Sequence, residues 1–162
     1  MGYHTNFNGK ITSCQTFDKE TIEYLKGISS TRRVKRSTKI LAKRLGISEE
    51  KCINLYGKEA KNYFDDKGYM GQIHTIDITN YNSPPDNQPS LWCDWTVGKD
   101  NKSIISKNTE KAHEYIEWME YILKELSLRG YTLNGSISWH GEDSEDNGSL
   151  HVDDNTLTIE YH

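Results

Sequence analysis

The chain has 162 residues, 34 % of them apolar and 27 % charged, and a formal net charge of -4; it is the size of one domain and can bury a core without disulfides or a structural metal. Four Trp, ten Tyr and three Phe supply large buried areas that disordered chains lack, so a single globular domain over 1–162 is expected. No apolar run approaches a membrane span, and Met1 to Lys10 lacks the basic and apolar regions of a secretory signal, which predicts a cytoplasmic protein without a membrane partner.

In chain order, Tyr3, Phe7 and Ile11 alternate with polar residues, a period of two that predicts an opening strand with those three facing inward. Asp18 is placed to cap a helix carrying Ile22, Leu25 and Ile28. Val34, Leu41 and Leu45 predict a second helix within 37–45 that Gly46 terminates, and Ser48 starts a third through about Tyr56. Residues 57–90 are less regular: Ile73, Ile76 and Ile78 hint at a short strand, and Ser83-Pro84-Pro85-Asp86-Asn87 reads as an exposed turn. Leu91, Cys93, Trp95 and Val97 predict a strand.

The clearest helix runs from about Thr109 to Leu128, with an apolar stripe of Ala112, Tyr115, Ile116, Met119, Ile122, Leu123 and Leu126. Gly130 stops it. A strand over Tyr131–Trp139 and two more, Leu150–Val152 and Thr156–Tyr161, turn at Asp153-Asp154-Asn155. The whole predicts an α+β fold, a mostly antiparallel sheet with helices packed on one face and a C-terminal helix plus three-stranded meander. The core is expected to join Ile116, Met119 and Leu123 to Ile137, Trp139 and Ile159.

Charge is sorted along the chain. Arg32, Arg33, Lys35, Arg36, Lys39, Lys43 and Arg44 fall in a stretch from Tyr24 to Ser48 that holds no acid, and nothing basic except histidine follows Arg129. Such sorting predicts two electrostatic faces, and the arginines offer multiply donating groups for phosphate. Leu41 to Leu55 has the layout of a helix-turn-helix, with Ala42 small at the helix contact, Gly46 at the turn, and Leu41, Leu45, Ile47, Cys52 and Leu55 at its apolar positions. Against DNA reading, Glu49 and Glu50 open the second helix, where they would meet phosphates. A solvated basic face that balances the acidic third is the preferred account of the segment.

Asp143, Glu145, Asn147 and Asp154 have calcium-loop spacing, but a short twelfth ligand and strand flanks favour a solvated acidic loop, and no metal is expected. Cys14, Cys52 and Cys93 are odd in number and form no Cys-x-x-Cys pair, which predicts reduced, mostly buried thiols. His140 with Glu142, and His113 with Glu117, could serve as acid and base. Nothing resembles a nucleophile elbow, a phosphate loop, a dinucleotide fingerprint or a zinc-protease helix, so no cofactor is expected and the reading leans away from an enzyme. Trp118 and Tyr121 project from the long helix off its stripe, and Trp92 alternates with Trp95; Trp92, Trp118 and Tyr121 are therefore the candidate protein-binding residues.

Four segments carry a resemblance: Gly2-Tyr3-His4-Thr5; Thr31-Arg32-Arg33-Val34-Lys35-Arg36; Tyr81-Asn82-Ser83-Pro84-Pro85 through Gln88-Pro89-Ser90-Leu91-Trp92-Cys93-Asp94-Trp95; and Gly130-Tyr131-Thr132-Leu133-Asn134-Gly135 through Trp139-His140-Gly141-Glu142-Asp143. Together they resemble a group of small uncharacterised proteins of bacterial and bacteriophage genomes. The resemblance implies a mobile-element setting and assigns no residue a role. The function expected is that of a non-enzymatic phage or prophage accessory protein binding a host macromolecule, a host protein first, with defence as one such role. The alternatives are nucleic-acid binding through residues 32–44 and a hydrolase around His140 and Glu142.

Overall fold

The computed structural model describes residues 3–64, 75–108, 112 and 114–162. Its elements are β1 (Thr5–Ser13), α1 (Lys19–Ser30), β2 (Lys35–Arg36), α2 (Thr38–Leu45), α3 (Glu49–Tyr56), a 3-10 turn (Lys58–Ala60), β3 (Ile78–Asn80), β4 (Trp95–Val97), β5 (Ser103–Ser106), α4 (Tyr115–Leu128), β6 (Leu133–Gly141), β7 (Asn147–Asp153) and β8 (Thr156–Tyr161). The expected strand residue Ile73, and residues 109–111 and His113 of the expected long helix, lie outside the described residues. The chain divides into two compact units, residues 1–26 with 93–162 and residues 27–92.

The first unit is built on a six-stranded antiparallel sheet in the order β4-β5-β1-β6-β7-β8. The fold is α+β, and the C-terminal meander β6 to β8 follows α4 as the sequence periodicity predicts. Period-two burial gives the sheet one apolar face: Phe7, Ile11, Ile104, Leu133, Ile137, Trp139, Leu150 and Val152 are all buried. The helix α4 turns Trp118, Met119, Ile122, Leu123 and Leu126 inward. Its start is tied to the sheet, because Trp95 Nε1 donates to the Tyr115 carbonyl at 2.8 Å and the Phe7 ring meets Trp95 and Tyr115 edge-on at 4.9 and 5.2 Å.

Several expectations need correction here. Ile116 and Ile159, expected in the core, are only half-buried, Ile159 because it lies on the edge strand β8. Tyr3 precedes β1 and is 42 % exposed; its phenol donates outward to Asp146 Oδ2 at 2.7 Å, and Thr5 takes the inward place beside Phe7 and Ile11. The strand expected from Leu91 begins only at Trp95. Trp118 belongs to the apolar stripe itself, wholly buried and edge-on to Tyr121 at 5.5 Å.

β1 and β6 approach closely at two glycines. A Cβ on Gly9 (φ +114°) would stand 2.4 Å from the Ser136 carbonyl oxygen, and one on Gly135 (φ +145°) 2.5 Å from the Lys10 carbonyl oxygen. Each strand therefore leaves room for the other's backbone, and a side chain at either position meets main chain that cannot rotate away.

Asp100 organises the turn between β4 and β5. The Ser103 hydroxyl donates to it at 2.7 Å and the Lys102 amide at 3.0 Å, and with Lys10 adding its charge the carboxyl is held down at about 2. A carboxyl depressed on folding contributes stability that is complete above its unfolded value of about 3.9 and is lost as pH falls through the folded value. The urea midpoint of Asp100→Asn should accordingly lie below that of the parent by a constant amount above pH about 4. The gap should close as pH falls toward about 2; a gap independent of pH would sink the assignment.

The second unit packs α2 and α3 into a helical hairpin. Ser37 caps α2 by accepting from the Ile40 amide, Gly46 ends it in the left-handed region at φ 72°, and Ser48 caps α3 by accepting from the Lys51 amide. Leu41, Ala42 and Cys52 bury between the helices with Ala60 and Tyr63, and Ile47 and Tyr56 pack against them. A two-stranded ladder of β2 and β3 completes the unit. Its centre is charged: Asp77, wholly buried, accepts from Arg36 at 2.6 Å and from Arg44 Nε at 2.9 Å, while both guanidinium groups lie near the Tyr63 ring.

Candidate functional site

The basic segment does not form the open face that sorted charge predicts. Arg33 is buried and donates to the Lys61 carbonyl at 2.7 Å, the Thr31 hydroxyl at 2.6 Å and the Tyr63 carbonyl at 3.1 Å. Arg36 and Arg44 bind Asp77, and Lys35 reaches Asp86 at 3.1 Å and Glu59 at 3.9 Å. Arg32 stacks over Tyr81 at 4.2 Å and donates to the Tyr81 carbonyl and to Asn82. Lys39 and Lys43, on α2, remain exposed. The reason is tertiary: acids and carbonyls from 59 to 86 fold back onto a stretch that contains no acid of its own, so five of the expected phosphate ligands hold the unit together instead.

The hairpin itself has the spacing and caps of a helix-turn-helix. Its surface is apolar as well as basic, with Ile40 38 %, Leu45 36 %, Ile53 41 % and Leu55 54 % exposed. Leu45 and Leu55, which the helix-turn-helix layout places inside, lie outside the buried cluster of Leu41, Ala42, Cys52, Ala60 and Tyr63. The deciding partners come from beyond the motif, since Ala60 and Tyr63 take buried places in that cluster, and Ile40 and Ile53 are exposed.

Among the candidate protein-binding aromatics, Trp118 is buried and offers no ring to a partner, while Trp92 and Tyr121 are half-buried. The calcium-loop residues are not brought together. The spacing is laid out along β7, so Asp143 lies before its start and Asp154 in the turn beyond its far end, roughly 20 Å away at 3.4 Å per residue. The loop is spent internally: Asp143 Oδ1 accepts the Glu145 amide, Asp146 accepts from Trp139 Nε1 at 3.0 Å and from Tyr3, and Asn147 donates to the Ser144 carbonyl. Among the described residues no group of three or more His, Cys, Asp or Glu is placed to hold a metal ion.

His140 is exposed on β6, and Glu142 Oε1 accepts the His4 amide at 2.7 Å, a structural use of that carboxylate. The polar face of the sheet holds a cluster the sequence reading did not single out. Ser149 Oγ lies 3.4 Å from His162 Nε2, whose other neighbour, Glu160 Oε1, is at 3.8 Å; Glu160 Oε2 lies 3.0 Å from His151 Nε2. Hydroxyl and carboxylate address the same ring nitrogen, so the carboxylate cannot orient the ring through Nδ1 as a nucleophile–base pair requires. The cluster is an exposed polar network, and the two-residue turn at Asp154-Asn155 would have revealed it through the register it imposes.

Comparison with known protein families, with curated proteins and with solved structures finds no match for the chain. Among the described residues no helix is long and apolar enough to cross a membrane.

Proposed function

We propose that the protein is a non-enzymatic accessory protein whose α2–α3 hairpin docks a host protein, in the mobile-element setting that its segment resemblance implies. One observation carries the reading: Ile40, Leu45, Ile53 and Leu55 are exposed on a single small helical hairpin, whereas isolated exposed apolar groups would need no explanation. Lys39 and Lys43 on the same hairpin favour a partner surface with an apolar centre and an acidic rim. The mobile-element setting rests on the four resembling segments alone.

The test is affinity capture from host lysate with the full chain and with Ile40→Asp and Leu55→Asp, which alter exposed positions and should leave the melting temperature unchanged. A stoichiometric protein retained by the parent and lost by both variants is expected. Capture that ignores both substitutions, or no partner at all, refutes the proposal.

The capped helix-turn-helix geometry favours nucleic-acid binding as a second reading, now through Lys39 and Lys43. Phosphate contacts are strongest at low salt, so a mobility shift there that Lys39→Glu and Lys43→Glu abolish would put this reading first. Failure of both RNA and DNA to bind at low salt ends it.

A further inference from the structure

The sheet has a long, regular edge at β8. Among the described residues β8 pairs with β7 alone and ends the strand order. Its register with β7 runs without a bulge from Asp153–Thr156 to Gly148–Tyr161, and its sequence, Thr-Leu-Thr-Ile-Glu-Tyr, contains neither the Lys nor the Pro that natural edges use against pairing, its one charge being Glu160. The opposite edge, β4, is only three residues long and runs into Gly98 and Lys99.

The direction of the free backbone groups follows from the ladder. Asp154 and Asn155 form a two-residue turn with φ of 45° and 68°, and at the far end the His162 amide donates to the Asn147 carbonyl at 3.0 Å. Antiparallel pairs alternate between exchanging both hydrogen bonds and exchanging none. Thr156, Thr158, Glu160 and His162 therefore bond to β7, and the N–H and C=O groups of Leu157, Ile159 and Tyr161 point away from it. The same three residues carry β8's apolar side chains, Leu157 and Ile159 half-buried and Tyr161 74 % exposed. Between this strand and α4 lies a groove of about 360 Å³, lined by Leu157, Leu123 and Leu128 with Lys124 and Glu120 at its polar margin. Leu128 is 75 % exposed.

We infer that β8 is the seam of a symmetric homodimer, pairing antiparallel with β8 of a second copy about a two-fold axis at Ile159. The occupant is a second copy because the strand is its own complement. With Ile159 opposite Ile159, Leu157 faces Tyr161 and Thr158 faces Glu160, so apolar meets apolar, polar meets polar, and every outward backbone group on both strands finds a partner. A shift of one pair in one direction puts Glu160 opposite Glu160, and in the other runs Tyr161 into the partner's turn at Asn155. Self-complementarity in one register is what an isologous interface requires. It also brings each Tyr161 beside the partner's Leu157 at the mouth of the groove, where Leu128 is otherwise exposed. Each copy carries a formal charge of -4, so screening by salt strengthens the pair.

The test is sedimentation equilibrium of the full chain over a wide concentration range, at low and moderate salt. A monomer–dimer equilibrium that tightens with salt is expected. Ile159→Pro removes an outward N–H and spares the ladder to β7, and Tyr161→Asp places a charge at the groove; each should weaken association at least roughly tenfold. The second variant keeps the inference testable if proline disturbs folding. In a Cys14→Ser background, Ile159→Cys should oxidise to a covalent dimer and Thr158→Cys should not. A monomer at every concentration, a dimer indifferent to both edge substitutions, or cross-linking at 158 in place of 159 would overturn it.

Discussion

Asp77→Ala is expected to cost about 3 to 5 kcal/mol of unfolding free energy, the usual penalty for removing one partner of a buried ion pair. Here the penalty is compounded, because one carboxylate serves both Arg36 and Arg44, and its loss removes the negative charge that each guanidinium binds, leaving the neutral hydroxyls of Thr75 and Tyr63 in its place. Arg36 is only 4 % exposed, so water cannot substitute without opening the unit. Burial pushes the Asp77 carboxyl up, but the hydrogen bonds from Arg36 and Thr75 and the Arg36 charge outweigh it and hold the group below its ordinary value. Its contribution is thus present above the unfolded value of about 3.9 and disappears as pH falls through the folded one. Equilibrium denaturation of the variant at neutral pH checks the magnitude; a loss under about 1 kcal/mol, the scale of an exposed pair, would mean that the hub is not structural.

Trp118→Ala should cost about 3 to 5 kcal/mol and Met119→Ala about 2 to 5 kcal/mol, the ranges for deleting large buried side chains. Both are wholly buried on α4, so truncation leaves a cavity in a close-packed interior that relaxes only partly. A denaturant midpoint unchanged in either variant would show that the stripe does not face the core. Trp118 is the sharper test, since the same substitution on a surface ring would leave stability nearly untouched.

What was legible in the chain was local. The caps Asp18 and Ser48, the terminator Gly46 and the strand Thr156–Tyr161 stand where turn chemistry and period-two alternation place them, because each is decided by neighbours in sequence. The alternation also put Phe7, Ile11, Ile137 and Trp139 in the core. What was not legible depended on residues far along the chain. Arg33 and Arg36 read as surface because charge patterning assumes water as the partner, and their actual partners, Lys61, Tyr63 and Asp77, lie some thirty to forty residues away. Trp118 was placed off the stripe because an indole widens a helix's buried arc beyond the narrow row its aliphatic neighbours define. The candidate docking surface is hidden for a related reason: Leu45 and Leu55 fit an apolar template, and only the folded chain shows that Ala60 and Tyr63, from outside the motif, join its buried cluster.

The order of strands in the sheet differs from their order of synthesis. β1 is made first, yet its neighbours β5 and β6 follow roughly ninety and one hundred and twenty residues later. At about 5 to 20 residues per second, translation leaves β1 without either partner for on the order of ten seconds. Through that interval Phe7 and Ile11 have no sheet to enter and both flanks of the strand are open to other chains. The close approach at Gly9 and Gly135 is therefore a late event, possible only once β6 has been made.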